Sequence, residues 1–433
     1  MLSIILFLTS KIELFFSYSE PNNSFYLFCV ANLYLSITDL QSFFYIREVN
    51  VHYKIKKSLF TLLKSADKTK ARLGKLETDH GEISTPIFMP VGTVGSVKAV
   101  NQDDLVNKVK AQIILGNTYH LYLRPGMEIM KKAGGLHQFI GWDQPILTDS
   151  GGYQVFSLSD NRTLSDKGAE FKSHLDGSKH LFTPENVVDT QRALGSDIMM
   201  ILDECPPYPA DYDYVKNSME LTHRWAKRGR EYFKSTSPYY GHKQFQFGIV
   251  QGGTYKDLRK KSSEYMVDQD FEGLAIGGLS VGEPAELMYE ITDFNSDHLP
   301  KEKPRYLMGV GTPANLLHCV ALGVDMFDCV MPTRNARNGS IFTRHGKINI
   351  RNAKWKHHHK PFDEDFPSEL CQRYNMSYIH HLFKADEILG LELASKHNLT
   401  FYLWLMELVR EKISDNTFAD WYKEEAIKLE QKI

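Results

Sequence analysis

The 433-residue chain lacks the features that mark disulfide-rich, strongly cationic or membrane-spanning proteins. Its five cysteines are scattered and never spaced as C-x-x-C, which argues against a disulfide framework and favours a reducing compartment such as the cytosol. The formal net charge is −2, so no overall positive field draws the chain to nucleic acid or to an anionic membrane. Any contact with RNA must therefore come from a local basic surface.

Residues 1–58 differ in composition from the rest of the chain, because Phe, Tyr, Leu, Ile and Ser dominate them without a steady period. No basic residue precedes the first apolar stretch, residues 4–8, so it lacks the form of a signal peptide. The second apolar stretch, residues 25–35, is shorter than the roughly 20 residues that a membrane span needs. We expect neither secretion nor membrane attachment, and we interpret residues 1–58 as a poorly structured extension.

From Thr85 onward, short apolar runs rich in β-branched residues alternate with helix-like stretches. This alternation predicts parallel strands joined by helices, and eight strands are the number that closes a (β/α)8 TIM barrel of the α/β class. The predicted strands are residues 86–89, 112–116, 145–148, 197–202, 245–250, 273–276, 305–308 and 324–327. A hydroxyl residue before proline, at Thr183-Pro184 and at Thr312-Pro313, predicts two helix starts.

Beyond Ile348 the pattern changes to a loop rich in His and Lys, followed by amphipathic stretches at residues 377–396 and 400–413. The sequence therefore predicts three parts. They are the extension at 1–58, a (β/α)8 barrel catalytic region at 59–348, and a C-terminal helical subdomain at 349–433 that packs on the barrel.

Carboxylates follow several predicted strands, at the end where the active site of a barrel lies. Asp149, Asp203 and Asp328 each close a strand, and Gln251 closes another. A single carboxylate in this position is about as often a helix cap or an ion-pair partner as a catalytic group. Three that converge on one mouth favour chemistry, and the glycine pairs beside them leave room for a flat heterocycle.

Six longer strings identify a family. They are TDSGGYQVFSL, ILDECPPYPA, GIVQGG, GLAIGGLSVGEP, MGVGTPANLL and MFDCVMPTRNARNG. In sequence, order and spacing they resemble the signature stretches of the tRNA-guanine transglycosylases, and chance similarity at six ordered strings is negligible. The resemblance is to the bacterial type of this family, the queuine tRNA-ribosyltransferases.

The resemblance implies a pentosyltransferase of queuosine biosynthesis, which exchanges the wobble guanine of GUN-anticodon tRNAs for a deazaguanine. Such an exchange poses the problem of a retaining glycosidase, in which one carboxylate attacks the anomeric carbon while another group manages the proton of the leaving base. By motif, Asp328 is the nucleophile that forms a covalent ribosyl intermediate, and Asp149 is the general acid/base. The residues implied to bind the base are Ser150, Gly151, Gly152, Tyr153, Asp203, Gln251, Gly278, Leu279 and Met308.

The resemblance also assigns contacts with the anticodon loop of tRNA to two segments. Their residues are Gly309, Val310, Gly311, Thr312, Pro313, Ala314 and Asn315, then Thr333, Arg334, Asn335, Ala336 and Arg337. The two arginines offer forked donors that suit phosphate geometry. Asn315 stands where many relatives have Asp, a change that leaves the predicted helix start intact. A homodimer that binds one tRNA is expected as well.

Three alternatives stay open. Cys205 and Val281 resemble the bacterial form, which takes 7-aminomethyl-7-deazaguanine, whereas the eukaryotic form takes queuine itself. A catalytically silent partner subunit is the second alternative, although Asp149 and Asp328 both survive in their motifs. A barrel enzyme acting on free nucleotides is the third, and the basic TRNAR stretch argues for a larger anionic partner.

The family commonly holds a structural zinc through C-x-C-x-x-C and a later His. Phe366 and Ser368 occupy the first two cysteine positions here, so only Cys371 and His397 remain of the four ligands. The His run at 357–359 lies in a Lys-rich loop, which is typical of a solvated surface. We therefore expect no cofactor and no zinc, with apolar packing around Phe366 in place of the metal.

Overall fold

The computed structural model describes residues 59–158 and 162–433, so the interpretation of residues 1–58 as an extension lies outside the described residues. The described residues belong to one compact unit. Within them, no helix combines the length and the apolar character that crossing a membrane requires.

Short strands and helices alternate along the chain. The strands are β1 (Phe60–Ser65), β2 (Arg72–Thr78), β3 (Gly81–Thr85), β4 (Ile87–Met89), β5 (Val91–Gly92), β6 (Ile114–Gly116), β7 (Ile146–Thr148), β8 (Thr163–Ser165), β9 (Gly168–Lys172), β10 (Lys179–Phe182), β11 (Ile198–Met200), β12 (Phe245–Val250), β13 (Gly273–Ile276), β14 (Arg305–Leu307), β15 (Met326–Asp328), β16 (Ser340–Thr343) and β17 (Gly346–Asn349). The helices are α1 (Gln102–Asn107), α2 (Thr118–Leu123), α3 (Met127–Lys132), α4 (Leu136–Ile140), α5 (Gly152–Leu158), α6 (Pro184–Leu194), α7 (Tyr212–Ser235), α8 (Lys256–Asp268), α9 (Ala285–His298), α10 (Pro313–Ala321), α11 (Met331–Arg337), α12 (Glu369–Arg373), α13 (Met376–Lys384), α14 (Ile388–Ser414) and α15 (Phe418–Glu430). A 3-10 turn spans Ala353–His357.

Nine parallel strands form the central sheet in the order β4-β15-β14-β13-β12-β11-β7-β6-β5. β4 and β5 are two halves of one strand, separated only by Pro90, which has no backbone N–H to give to a ladder. The Pro90 carbonyl still accepts a hydrogen bond from the Leu115 N–H at 2.9 Å. Eight strand positions therefore surround the core, and the predicted (β/α)8 barrel is confirmed.

The predicted barrel strands agree with the structure to within two residues at each end, except that the first prediction, residues 86–89, omits β5. They were recognisable because β6, β7, β11, β12, β13 and β14 bury every residue and so read as continuous apolar runs. Both predicted helix starts are confirmed. The Thr183 side chain caps α6 by accepting from the Asn186 N–H at 3.2 Å, and Thr312 caps α10 through the Asn315 N–H at 3.1 Å.

The two C-terminal amphipathic stretches are divided differently from the prediction. The first, at 377–396, is broken after Lys384, and Asp386 has a φ of 54°, which is incompatible with a continuing helix. α14 then runs without interruption through residues 397–399. The sequence suggested a break there because His397 and Asn398 are polar, yet both are buried and bonded to backbone carbonyls.

Three small antiparallel sheets were not predicted: β1-β2-β3, β8-β9-β10 and β16-β17. The first lies at the amino-terminal end of the barrel strands. Arg72 of β2 anchors it there by donating from Nε to Asp325 Oδ1 at 3.0 Å, just before β15 begins. This end of the barrel is opposite the mouth where the strand carboxyl ends lie.

The C-terminal helices share the hydrophobic core of the barrel. α14 lies against α11, and the Asn398 side chain donates to the Pro332 carbonyl at 3.0 Å. The Tyr402 hydroxyl donates to the Gly311 carbonyl in the loop after β14. α14 therefore supports both segments that the sequence assigns to RNA.

Candidate active site

Residues at the ends of five strands, four of them polar, meet at the carboxyl end of the barrel. Asp149 directly follows β7, Asp203 lies three residues after β11, and Gln251 directly follows β12. Gly278 follows β13, and Asp328 is the last residue of β15. The fold thus brings the predicted aspartates and Gln251 to one mouth, as the strand-end argument requires.

Asp203 and Gln251 form the floor of this site. Gln251 Nε2 donates to Asp203 Oδ2 at 2.8 Å, and the Ser150 hydroxyl donates to Oδ1 at 3.3 Å. Burial raises the pKa of Asp203 to about 6, although these two hydrogen bonds oppose the rise. Gln251 Oε1 is buried and has no hydrogen-bond partner among the described residues. An N–H group of a bound base can therefore donate a hydrogen bond to it.

Two glycines are required where backbone closes on this floor. A Cβ at Gly152 would lie 2.5 Å from the Asp203 carbonyl oxygen, so no larger residue fits beside that carboxylate. Gly278 has a φ of +64°, and a Cβ there would collide with the Gln251 side chain. At Gly152 and Gly278 the wall next to Asp203 and Gln251 is therefore bare backbone.

Asp149 accepts hydrogen bonds from several donors. Asn117 Nδ2 lies 2.5 Å from Oδ2, while the Thr118 and Gly151 N–H groups lie 2.9 and 3.1 Å from Oδ1. Burial raises the pKa of Asp149 to about 7, the Thr118 N–H opposes the rise, and the negative charge of Asp328 adds to it. This carboxyl group is therefore poised to gain and lose a proton near neutral pH.

Asp328 is held through one of its two oxygens. The Tyr306 hydroxyl donates to Oδ1 at 2.6 Å and the Gly309 N–H donates to the same atom at 2.9 Å. Within the part of the chain that the structure describes, Oδ2 receives no hydrogen bond. Burial raises the pKa of Asp328, and the two donors oppose that rise. One oxygen is thus anchored, while the other is left without a hydrogen bond from the described residues.

The remaining predicted base-binding residues line the same mouth. Tyr153 lies on α5 with its side chain 49% exposed, and Met308 is half-buried directly after β14. Leu279 is buried beyond β13, and Gly151 has a φ of +81° at the turn into α5. An exposed aromatic ring beside a bare backbone slot is suited to cover the face of a flat ligand.

The predicted RNA segments border the mouth, since the N–H of Gly309 contacts Asp328. The structure divides these segments by exposure. The buried members are Val310, Gly311, Pro313, Ala314, Thr333 and Ala336. The members that solvent reaches are Gly309, Thr312, Asn315, Arg334, Asn335 and Arg337. Direct contacts with RNA are therefore expected from the second group, while the first shapes the surface.

Arg259 and Tyr306 have structural roles in the site that sequence reasoning missed. Arg259 of α8 is fully buried and donates to the Gly253 carbonyl at 2.7 Å and the Gly278 carbonyl at 3.4 Å. It therefore ties the loops after β12 and β13 together behind the slot. A lone Arg in a helix does not indicate a buried role near an active site. Tyr306 did give a signal, because it lies within a predicted strand that ends at the mouth.

The residues at the zinc positions of the family do not fit a metal. Ser368 Oγ and Cys371 Sγ lie 2.8 and 3.6 Å from His397 Nδ1, and the Phe366 ring is centred 5.3 Å from the His397 ring. A closed zinc site needs four thiolate or imidazole ligands, and only two such side chains are present. No step of the chemistry involves this cluster.

The fold and the site define a (β/α)8-barrel enzyme whose mouth holds the paired carboxylates of glycosidic-bond chemistry. A family model described as queuine tRNA-ribosyltransferase matches residues 67–431. The queuine tRNA-ribosyltransferase of Caldanaerobacter subterraneus subsp. tengcongensis is 58% identical over 369 residues, covering 85% of this chain and 96% of that protein. Those of Thermoanaerobacter pseudethanolicus and Bacillus velezensis are 56% and 51% identical over 84% of this chain, and over 96% and 94% of their own lengths. The chain belongs to the queuine tRNA-ribosyltransferase family, and the resemblance seen in the six strings is confirmed.

Proposed function

We propose that this chain exchanges the wobble guanine of GUN-anticodon tRNAs for 7-aminomethyl-7-deazaguanine through a covalent aspartyl-ribosyl intermediate. As a member of its family, it is a tRNA-guanine transglycosylase, a pentosyltransferase of queuosine synthesis. One observation carries the proposal. The Asp328 carboxylate is held by a single oxygen at the same mouth as Asp149, whose pKa of about 7 suits proton transfer in both directions.

The first half-reaction forms a bond between Asp328 Oδ2 and C1′ of the ribose. The C1′–N9 bond breaks, its electron pair passes to the departing guanine, and the protonated form of Asp149 supplies a proton to that base. Asp149 must turn away from Asn117 and Thr118 to do so, because its oxygens now bond to them.

The second half-reaction reverses these steps with a different base. The deprotonated Asp149 takes the N9 proton of the incoming deazaguanine, N9 attacks C1′, and the ester bond to Asp328 breaks with its electron pair returning to the carboxylate. Asp149 then holds the proton for the next guanine. A pKa near neutrality serves both halves of the exchange.

The floor residues match the edge that both bases share. Guanine and its 7-deaza analogues present two N–H donors on one edge, which a buried carboxylate such as Asp203 can accept. Gln251 and the backbone at Gly278 and Leu279 add further polar contacts along the slot, and Tyr153 covers the ring. Because this edge is common to the outgoing and incoming bases, one slot serves both.

The choice of 7-aminomethyl-7-deazaguanine rests on the wall beside Asp203. Cys205 is buried there, and burial raises the pKa of its thiol to about 12, so it remains a neutral, compact side chain. Val281 is half-buried on the facing loop. Competition of this base and of queuine against labelled guanine distinguishes the two. Clear preference for queuine would contradict the choice.

The tRNA substrate follows from the cost of exposing the target base. A nucleotide must leave its stack to enter the slot, which is easiest in an unpaired anticodon loop. We expect Arg334→Ala to weaken tRNA binding and to reduce the salt dependence of log K by about one counterion, because a phosphate contact is lost. Arg373→Ala, which removes an exposed arginine of α12, is the matched control. Titrations at several salt concentrations measure both variants.

The homodimer is part of the same proposal and is drawn from the family resemblance. Native mass spectrometry of the protein with an anticodon stem-loop RNA measures its stoichiometry. Two chains with one RNA is the expected assembly. One chain with one RNA would contradict it without affecting the chemistry proposed for a single barrel.

Trapping the covalent intermediate tests the central claim. The full-length protein is incubated with an anticodon stem-loop RNA and a deazaguanine inhibitor, then denatured and examined for a protein–RNA adduct. We expect an adduct that is absent from Asp328→Asn and retained in Asp297→Asn, a control at the opposite end of the barrel. No adduct, together with no entry of labelled guanine into tRNA, would favour the silent-subunit alternative.

A further inference from the structure

We infer that a metal-free clamp of Phe366, Ser368 and His397 replaces the family zinc in this chain, which folds and functions without that metal. The inference is independent of the proposed substrate. These three residues lie where α12, α14 and β16 meet. A structural zinc would hold these elements together, and here the contacts of the three side chains do so.

The hydrogen bonds of His397 leave it no lone pair for a metal. Its Nε2 lies 2.7 Å from the Phe342 carbonyl, and a carbonyl can only accept, so Nε2 carries the proton. The neutral imidazole ring has a single N–H, so with the proton on Nε2 the Nδ1 atom is an acceptor. Nδ1 therefore accepts from the Ser368 hydroxyl at 2.8 Å. Metal binding would have to break one of these two buried bonds.

Ser368 joins two elements at once. Its hydroxyl donates to His397 of α14, and its oxygen accepts from the Cys371 N–H at 3.3 Å, which caps the amino end of α12. Serine is among the residues preferred at a helix N-cap. The serine is thus suited to the metal-free arrangement.

Phe366 fills the space beside this pair. Its side chain is fully buried, with ring centroids 5.3 Å from His397 and 5.4 Å from Trp404. Cys371 is also fully buried, and its Sγ lies 3.6 Å from His397 Nδ1. The cluster is an aromatic core that holds the hydrogen bonds of Ser368 with His397 and with the Cys371 N–H.

The clamp has a consequence for the RNA side of the molecule. His397 precedes Asn398, which accepts from the Phe342 N–H at 3.0 Å and donates to the Pro332 carbonyl of α11. The clamp therefore fixes the part of α14 that supports α11. Support of α11 by α14 therefore depends on these contacts and not on a metal.

Metal analysis of untagged, full-length protein grown with zinc tests the inference. We expect well below one zinc per chain and a melting temperature that a strong chelator leaves unchanged. One tightly held zinc per chain that disappears in Cys371→Ser would overturn the inference. Zinc that persists in Cys371→Ser but disappears when His357, His358 and His359 are all replaced by Gln lies on the surface loop, and that result supports the metal-free clamp.

Restoring the ligands gives the sharper test. The double variant Phe366→Cys/Ser368→Cys provides three thiols and His397, so we expect one zinc per chain and, with cobalt, a thiolate charge-transfer absorption. The matched control Phe366→Ala/Ser368→Ala loses the same packing without gaining ligands, and it should bind no metal and melt at a lower temperature. A folded double-cysteine variant that binds no zinc would show that the clamp does not occupy the zinc site.

Discussion

At the scale of single residues, the nucleophile depends on a neighbour that is not itself reactive. The Tyr306 hydroxyl donates to Asp328 Oδ1 at 2.6 Å and stabilises the charged carboxylate. In Tyr306→Phe we expect the pKa of Asp328 to rise further and the exchange rate to fall by about tenfold or more, as loss of a hydrogen bond to a charged group implies. KM for tRNA should change little. Guanine-exchange kinetics across pH measure all three quantities.

Tyr265→Phe is the matched control for this variant. Its hydroxyl donates to the His223 carbonyl of α7 at 3.0 Å, so the substitution removes a half-buried tyrosine hydroxyl without touching the mouth. Equal losses of rate in the two variants would mean that Tyr306 acts through stability alone.

Asn117 is expected to tune the general acid/base in the same way. It donates to Asp149 at 2.5 Å, which favours the ionised form. The pH profile of exchange should contain an ionisation near pH 7, and Asn117→Ala should move it to higher pH because the charged carboxylate loses a donor. The apparent value belongs jointly to Asp149 and Asp328, which interact. An unmoved profile would contradict a role for Asn117 in this ionisation.

The catalytic carboxylates were predictable from the sequence, whereas Tyr306 and Arg259 were not. The carboxylates were predictable because each closes an apolar run, and strand ends in a barrel share one face. Tyr306 lies inside such a run and reads as core, while Arg259 reads as a surface helix residue. Their contacts depend on side-chain direction and on neighbours distant in sequence, neither of which a single sequence specifies.

At the scale of elements, a buried ion pair attaches the first small sheet to the barrel. Arg72 of β2 and Asp325 are both almost fully buried, and Arg72 also donates to the Lys301 carbonyl at 2.8 Å. We expect Arg72→Met to lower the free energy of unfolding by about 3–5 kcal/mol, because it leaves an uncompensated buried carboxylate. Urea unfolding measures the loss.

The double variant Arg72→Met/Asp325→Asn tests the cause of that loss. It removes the unpaired charge while keeping an oxygen that can accept from the Arg305 N–H, now 2.7 Å from Asp325 Oδ2. We expect it to be more stable than Arg72→Met alone. A double variant that is equally unstable would mean that packing by the Arg72 side chain, and not the charge, accounts for the effect.

The sequence predicted the strands of the barrel but not those of the three small antiparallel sheets. Barrel strands are buried on both faces and give unbroken apolar runs. β8 is exposed along much of its length and gives no such run. The prediction wrongly ended a helix at residues 397–399, because the residues there are polar. In the structure, His397 and Asn398 are buried within α14 and form internal hydrogen bonds.

At the scale of the whole molecule, stability should depend on pH through a histidine cluster at the end of the barrel opposite the mouth. His80 Nδ1 lies 2.7 Å from Asp197 Oδ1, and the His80 ring stacks on His137 with centroids 3.8 Å apart. Asp197 is fully buried. The hydrogen bond with Asp197 raises the pKa of His80, and Asp79 and Asp143 add to the rise. His242, also in contact with His80, has its pKa lowered by burial.

The pKa shifts of His80 and Asp197 determine the pH range in which the cluster stabilises the fold. Because the folded-state pKa of His80 is above its ordinary 6.5, its contribution is fully present below that pH and is lost as pH rises through the raised value. Burial alone would raise the pKa of Asp197, but His137, whose Nε2 lies 3.3 Å from Oδ2, and the hydrogen bond with His80 lower it to about 2, so its contribution is lost only in strong acid. The cluster therefore stabilises the fold most between about pH 4 and pH 6.5.

His80→Gln tests this account, because glutamine keeps a donor for Asp197 but cannot carry a charge. We expect the variant to lose more stability at about pH 5 than at about pH 9, since the ion pair contributes fully at the lower pH and is lost as pH rises through the raised pKa of His80. Urea unfolding at the two pH values measures the difference, and His381→Gln, on the exposed face of α13, is the control. An equal loss at both pH values would mean that His80 contributes through packing and neutral hydrogen bonding, with no imidazolium at Asp197.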